Sequence, residues 1–185
     1  MMTIPTILTL VRIVMIPIFV LVFYLPYWWH HIAATAVFSL AAITDWFDGY
    51  LARRLDQASD FGAFLDPVAD KLMVVVALVL LVEAKPTPWM TVPAMIIIGR
   101  EIAVSALREW MTSLGNSASV AVNMLGKIKT TAQMTALILL IFHEPIWFIP
   151  TELLGYACLY IAASLTLWSM GVYLYSAWQS FQEQH

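Results

Sequence analysis

The amino-acid sequence predicts an all-α integral membrane protein, with six transmembrane helices in one bundle. Of its 185 residues, 62% are hydrophobic and only 11% are charged, and the mean hydropathy is +0.83. A water-soluble domain of this length needs more polar surface than such a composition supplies. Long apolar runs also recur along the whole chain, each close to the roughly 20 residues that a helix needs to cross a bilayer. A lipid bilayer is therefore the expected surroundings of the chain.

Six apolar runs, separated by prolines and polar stretches, define the predicted helices. They cover residues 4–24, 30–52, 61–82, 89–111, 122–142 and 146–175. Pro26, Pro86 and Pro145 mark breaks at one end of the bundle, and two polar stretches mark breaks at the other end. Because every connecting segment is short, we expect one transmembrane domain over residues 1–185.

The distribution of positive charge predicts how the bundle is oriented. The basic residues expected at one end are Arg53, Arg54, Arg108, Lys127 and Lys129. The opposite end carries only Lys85, together with tryptophans typical of a membrane interface. The basic end is expected in the cytoplasm, and an even number of helices places both termini there. A net charge of −3 does not favour nucleic acid as a partner.

Four aspartates lie where the second predicted helix ends and the third begins. Asp45 and Asp48 close the second helix, and Asp66 and Asp70 open the third. Residues three or four apart share a helix face, and a short loop makes the two helices antiparallel neighbours, so the four carboxylates are expected to converge. Crowded carboxylates in an apolar environment cannot all stay ionised without compensation, so either their pKa values rise or cations lie among them. Oxygen donors without histidine or cysteine indicate Mg²⁺ or Mn²⁺, and a pair of ions would suit phosphoryl transfer.

The residues around these aspartates leave one structural alternative open. Gly49, Ala52 and Gly62 are small enough to let a bulky ligand or a partner helix approach the backbone closely. Asp66 precedes Pro67, a pair typical of an N-cap followed by the first helical residue. In that interpretation the third helix starts at Pro67 and is short for a membrane span. We expect instead a longer helix that bends at the proline.

Basic residues in the fourth and fifth helices suit a site that handles phosphate. They are Arg100, Arg108, Lys127 and Lys129. Arginine binds phosphate in a bidentate manner and lysine supplies a point charge. The alternative is that the side chains extend to the membrane interface, which applies less to the deeper Arg100. Glu101 is expected to pair with Arg108, seven residues further along the same helix.

The stretch from Asp45 to Asp70 resembles the signature of the CDP-alcohol phosphatidyltransferases. It reads D-x-x-D-G-x-x-A-R, then eight residues, then G-x-x-x-D-x-x-x-D, and every fixed position of the signature is present. The chain length and the six predicted helices agree with that family as well. The resemblance implies a metal-dependent, homodimeric transferase of phospholipid biosynthesis in a bacterial inner membrane, with its active site facing the cytoplasm.

The resemblance also implies roles for individual residues. Asp45, Asp48 and Asp66 would hold the metal ions, and Asp70 would be a further ligand and the general base. The residues expected to contact the CDP-lipid are Gly49, Ala52, Arg53 and Gly62, together with Thr6, Thr9 and Arg12 of the first helix.

The wider sequence resembles bacterial family members that use sn-glycerol 3-phosphate as the acceptor. These transfer the phosphatidyl group of CDP-diacylglycerol to its primary hydroxyl, which gives phosphatidylglycerophosphate and CMP. The residues expected to hold the acceptor's phosphate are Arg100, Arg108, Lys127 and Lys129.

Two other functions are compatible with parts of this pattern. The first is the same chemistry with serine, an inositol phosphate or phosphatidylglycerol as the acceptor, because the core motif does not determine which acceptor is used. The basic residues favour a phosphorylated one. The second is a divalent-cation transporter, in which intramembrane aspartates line a pathway. Transporter sites tend to lie near the bilayer midplane, whereas these carboxylates are expected at one interface.

Overall fold

The computed structural model describes residues 4–55, 60–113, 124–145 and 147–182, and these ranges contain six helices. The helices are α1 (Ile4–Phe23), α2 (His30–Leu55), α3 (Asp60–Ala84), α4 (Pro88–Ser113), α5 (Met124–Phe142) and α6 (Thr151–Gln182). The predicted all-α class is confirmed, and each apolar run corresponds to one helix.

The start of α6 differs from the prediction, which placed it at residue 146. The helix begins at Thr151, directly after Pro150. The Pro150 carbonyl accepts a hydrogen bond from the Leu154 amide at 3.1 Å, and the Thr151 hydroxyl donates to the Glu144 carbonyl at 2.7 Å. Because a proline lacks an amide proton, Pro150 fits this position just before the helix but not its interior.

Pro67 lies inside α3, which runs without interruption from Asp60 to Ala84. The longer helix that we expected is therefore confirmed, and the interpretation of Asp66 as an N-cap is wrong. Prolines inside apolar helices are tolerated where neighbouring helices surround them. As a result, Asp66 and Asp70 lie on one continuous helix, as Asp45 and Asp48 do on α2.

The helices pack in an order that differs from their order along the chain. Helix α1 packs against both α2 and α3, and α5 packs against α6, α2 and α3. Helix α4 packs against α3 and α6. In the part of the chain that the structure describes, α2 and α3 do not pack extensively against each other. The direct pairing expected from their short loop is not found there, and α1 packs against both of the helices that carry the aspartates.

Large apolar side chains fill the middle of the bundle. The largest that are fully buried are Phe19, Phe38, Leu78, Met90, Ile97, Leu137, Leu140 and Leu159. The rings of Phe19 and Phe38 lie 5.8 Å apart and join α1 to α2. Such packing positions the helices without any polar contact, so the polar contacts described below are additional constraints.

Apolar side chains also cover much of the outer surface of the helices. Prominent examples are Val14, Leu21, Met95, Ile102 and Trp168, all exposed. An exposed apolar surface of this extent is unusual for a monomer in water. Among the described residues, two helical segments have the length and composition of a membrane span, Pro88–Leu107 and Thr151–Tyr175. Two further apolar segments, Ile7–Phe23 and Ile128–Phe142, are shorter.

The two ends of the bundle carry different polar contacts. At the end where α1, α3 and α5 terminate, the Tyr24 hydroxyl donates to Glu83, and Lys85 forms an ion pair with Glu152. The other end, where α2 terminates and α3 begins, carries Arg12, Asp45, Asp70, Arg100, Glu101 and Lys129 and is called the charged end below. Lys85, the single lysine predicted at the opposite end, therefore forms its ion pair there and not at the charged end.

Replacing Gly155 by alanine is expected to destabilise the contact between α5 and α6. A Cβ atom on Gly155 would lie 2.8 Å from Leu140 Cγ and 3.3 Å from Leu139 Cβ. Overpacking of this kind typically costs about 1–3 kcal/mol. Thermal unfolding in detergent should show a lower Tm for Gly155→Ala.

The matched control is Gly171→Ala on the same helix. Beyond its own stretch of helix, no atom of the described residues lies within 4 Å of a Cβ placed there, and alanine is the better helix former. Its Tm should equal or exceed that of the parent protein. Equal Tm values for Gly155→Ala and the parent would show that α5 and α6 are not packed as closely as described.

Candidate active site

An ion pair joins α1 to α2 at the charged end. Arg12 Nη1 lies 2.7 Å from Asp45 Oδ1. The Arg12 side chain is only 1% exposed, whereas that of Asp45 is 36% exposed. An arginine in the middle of an apolar helix is costly unless a carboxylate compensates its charge. Arg12 therefore orients Asp45, and Asp45 stays accessible to a ligand. The sequence did not predict this contact.

A second ion pair network joins α4 to α5. The Oε1 atom of Glu101 accepts hydrogen bonds from Arg100 Nη1 at 2.9 Å and from Lys129 Nζ at 2.8 Å. The Lys129 side chain is 8% exposed. Sequence spacing had suggested Arg108 as the partner of Glu101. The described partners are Arg100 and Lys129; the side chain of Arg108 lies outside the described part of the structure, so that pairing stays a prediction.

Serine side chains extend this network to α3 and α6. Arg100 Nη2 donates to Ser169 Oγ at 3.4 Å. The Ser105 hydroxyl donates to the Glu101 carbonyl at 2.6 Å, and Lys71 Nζ donates to Ser105 Oγ. Nothing in the sequence assigned these serines to the site, because they carry no charge. The only available signal was that Ser105 lies one helical turn after Glu101.

Asp70 connects the aspartates of the charged end to this network. Asp70 of α3 lies close enough to Lys129 for their charges to interact. Arg100 and Lys129 carry two positive charges and share the single Glu101 carboxylate. The network around Glu101 is thus electropositive, and it lies beside one of the four aspartates.

One donor of Arg100 has no protein partner in the described part of the chain. Arg100 Nε is buried and has no hydrogen-bond partner among the described residues, and the same is true of Thr166 Oγ1. A buried polar group without a partner costs about 1–3 kcal/mol, so such groups usually have a ligand, an ion or a water molecule as their partner. An arginine N–H beside a surplus of positive charge suits an anionic ligand.

Several predicted site residues have side chains outside the described part of the structure. They are Thr6, Asp48, Gly49, Ala52, Arg53, Gly62, Asp66, Arg108 and Lys127, all on described helices. Thr9 is described and is buried in α1. No group of three or more histidine, cysteine or acidic side chains could hold a metal ion among the described residues. Since Asp48 and Asp66 are outside that set, the predicted metal site stays a prediction.

The described histidines, His30, His31 and His143, lie away from the charged end. His31 Nε2 is 3.3 Å from Glu144 Oε1, and the rings of His31 and His143 lie 5.0 Å apart. These residues are near the turn between α5 and α6, at the opposite end of the bundle. At the charged end, the described donors suited to a cation are carboxylate oxygens.

Comparison with known proteins identifies the family. A family model described as CDP-alcohol phosphatidyltransferase matches residues 2–168, a range that includes the four aspartates, Glu101 and Lys129. The chain belongs to the CDP-alcohol phosphatidyltransferase family. The resemblance inferred from the aspartate motif is thereby confirmed.

Three relatives in this family are similar over nearly their whole length. They come from Shigella flexneri serotype 5b (strain 8401), Shigella boydii serotype 4 (strain Sb227) and Escherichia coli (strain K12). Each is 56% identical over 174 residues, which is 94% of this chain and 94% of the relative. Each is named CDP-diacylglycerol–glycerol-3-phosphate 3-phosphatidyltransferase.

The ion pair between Arg12 and Asp45 predicts unequal effects of removing its two members. Asp45→Asn leaves a buried guanidinium without the Asp45 carboxylate and should cost about 1–3 kcal/mol of stability. Arg12→Met leaves a carboxylate that water can reach, so its cost should be smaller. Thermal unfolding in detergent, without added metal, measures both. A larger loss for Arg12→Met would contradict this view of the pair.

Proposed function

We propose that the chain transfers the phosphatidyl group of CDP-diacylglycerol to the primary hydroxyl of sn-glycerol 3-phosphate, which yields phosphatidylglycerophosphate and CMP. One observation carries this proposal: relatives whose names state this activity are 56% identical to the chain over 94% of both sequences. The family match over residues 2–168 spans both the aspartates and the basic network, so the two halves of the site belong to the matched region.

The charged end has the donor chemistry for divalent cations. We propose that Asp45, Asp48, Asp66 and Asp70 hold two Mg²⁺ or Mn²⁺ ions. Carboxylates are hard oxygen ligands that these ions prefer, and the 36% exposure of Asp45 leaves it accessible. When bound, the ions would neutralise the charge that develops on the pyrophosphate of the CDP-lipid.

The acceptor's phosphate is assigned to the basic network. Lys129 lies close enough to Asp70 for their charges to interact, and Arg100 has a buried Nε without a partner among the described residues. We propose that these two residues bind the phosphate together with Arg108 and Lys127. A phosphorylated acceptor uses this surplus of positive charge, whereas serine does not, and the names of the relatives favour glycerol 3-phosphate over an inositol phosphate.

We propose that Asp70 acts on the acceptor's hydroxyl. In the proposed reaction its carboxylate takes the proton of the primary hydroxyl, which requires hydrogen-bond reach between the two oxygens. The hydroxyl oxygen then attacks the phosphorus that carries the diacylglycerol. The bond from that phosphorus to the CMP oxygen breaks, and CMP leaves.

The CDP-lipid occupies the acidic side of the site in this proposal. Gly49, Ala52 and Gly62 allow its approach to the backbone of α2 and α3, and Arg53 contacts the pyrophosphate. In this proposal Thr6 and Thr9 of α1 also contact the CDP-lipid. Arg12 contributes by orienting Asp45.

The surroundings of the enzyme follow from its outer surface. We propose that all six helices cross a bacterial inner membrane, with the charged end in the cytoplasm and two copies forming a dimer. The exposed apolar side chains and the two long apolar helices support the membrane location, and the position of the arginines and lysines supports the orientation.

An acceptor panel tests the proposed reaction. Purified protein in detergent receives CDP-diacylglycerol and Mg²⁺ with glycerol 3-phosphate, serine, an inositol phosphate or phosphatidylglycerol, and CMP release is measured. We expect release with glycerol 3-phosphate alone, its loss on adding EDTA, and its recovery with excess Mg²⁺ or Mn²⁺. Release with a different acceptor would overturn the acceptor assignment, and release unaffected by EDTA would overturn the metal assignment.

Asp70→Asn should separate catalysis from binding of the CDP-lipid. The amide keeps the shape of the side chain but cannot take a proton. Because general-base catalysis contributes about 10²–10⁴-fold, turnover should fall by at least that range, while CDP-diacylglycerol still binds in an equilibrium assay. Near-parental turnover would show that Asp70 is not the base.

A further inference from the structure

Glu101 has no assigned role in the reaction, yet it links the two described cations of the basic network. Both the Arg100 guanidinium and the Lys129 ammonium donate to the same oxygen, Oε1 of Glu101. Two donors that meet on one atom are close neighbours. A single phosphate group, with several acceptor oxygens, can then accept from both.

The charge of Glu101 explains how these cations share a largely buried place. Arg100 and Lys129 are both largely buried, and two neighbouring cations in a low-dielectric environment repel each other strongly. One carboxylate reduces this repulsion without neutralising the pair. Glu101 thereby holds the cations together and leaves a net positive charge for an anion.

The backbone of Glu101 is itself held in place. Its carbonyl accepts a hydrogen bond from the Ser105 hydroxyl, which also accepts from Lys71 of α3. Arg100 is held from the other side by Ser169 of α6. Hydrogen bonds from α3, α5 and α6 therefore hold the network in place. They limit the motion of the Arg100 and Lys129 side chains.

We propose that Glu101 is a positioning residue for the acceptor: it orients Arg100 and Lys129 so that both bind the phosphate of glycerol 3-phosphate. This inference rests on the proposed function of the site. Glu101 acts through the two cations and does not touch the acceptor, because a carboxylate and a phosphate repel each other. Its loss should weaken acceptor binding more than binding of the CDP-lipid.

The test is steady-state kinetics of the full-length protein in detergent, with CMP release as the readout. Glu101→Gln keeps the shape of the side chain and removes its charge. We expect the KM for glycerol 3-phosphate to rise about tenfold or more, with the KM for CDP-diacylglycerol changed by less than about twofold. Glu101→Asp retains the charge and should show a smaller rise in the same KM.

Glu109→Gln is the matched control, because Glu109 is an exposed glutamate on the same helix. Both of its KM values should equal those of the parent. An unchanged KM for glycerol 3-phosphate in Glu101→Gln, an equal rise in both KM values, or a loss confined to kcat would each overturn the proposal.

A double-mutant cycle with Lys129→Met keeps the proposal testable if one variant folds poorly. If Glu101 acts through Lys129, the effect of Glu101→Asp on the acceptor KM should be smaller in the Lys129→Met background than in the parent. Additive effects would overturn the proposal. A parent protein that releases no CMP with glycerol 3-phosphate would instead defeat the proposed function, so the two failures are distinguishable.

Discussion

A charge buried among apolar helices has to be compensated inside the protein, and this constraint determines the arrangement of the charged end. Arg12 is almost completely buried and bonds to Asp45 of the neighbouring helix. Lys129 is buried to a similar degree and bonds to Glu101. The Arg12–Asp45 pair joins α1 and α2, which the apolar core already packs together. The Lys129–Glu101 pair instead connects α5 and α4, which do not pack extensively against each other among the described residues. Core packing therefore sets the first contact, whereas the second is a polar link between helices that share the neighbours α3 and α6.

The two ion pairs differ in the sign of the charge that remains around them. Arg12 pairs with Asp45, and in the proposed site Asp48, Asp66 and Asp70 would add three further carboxylates on this side, a negative surplus that suits divalent cations. Around Glu101, two cations share one carboxylate, so a positive surplus remains for an anion. Asp70 and Lys129 lie where the two sides meet. In the proposed reaction this combination would let Asp70 act on the hydroxyl of an acceptor whose phosphate is held nearby.

The sequence was sufficient to predict the helices, because apolar runs of membrane-spanning length leave few alternatives. It also supported a continuous α3 through Pro67, since a helix starting at the proline would be short. The partners of individual charges could not be predicted. Helical periodicity relates Glu101 to Arg108 on its own helix, but its actual partner on another helix, Lys129, depends on how α4 and α5 are arranged. The partner of Arg12 was missed for the same reason.

The most direct test is an experimental structure of the protein with Mn²⁺, a CDP-diacylglycerol analogue and glycerol 3-phosphate, with manganese located by anomalous scattering. We expect manganese among Asp45, Asp48, Asp66 and Asp70, and the acceptor's phosphate against Arg100 and Lys129. Manganese bound away from these aspartates, or a phosphate bound without contact to Arg100 and Lys129, would contradict the division of the charged end into an acidic and a basic side.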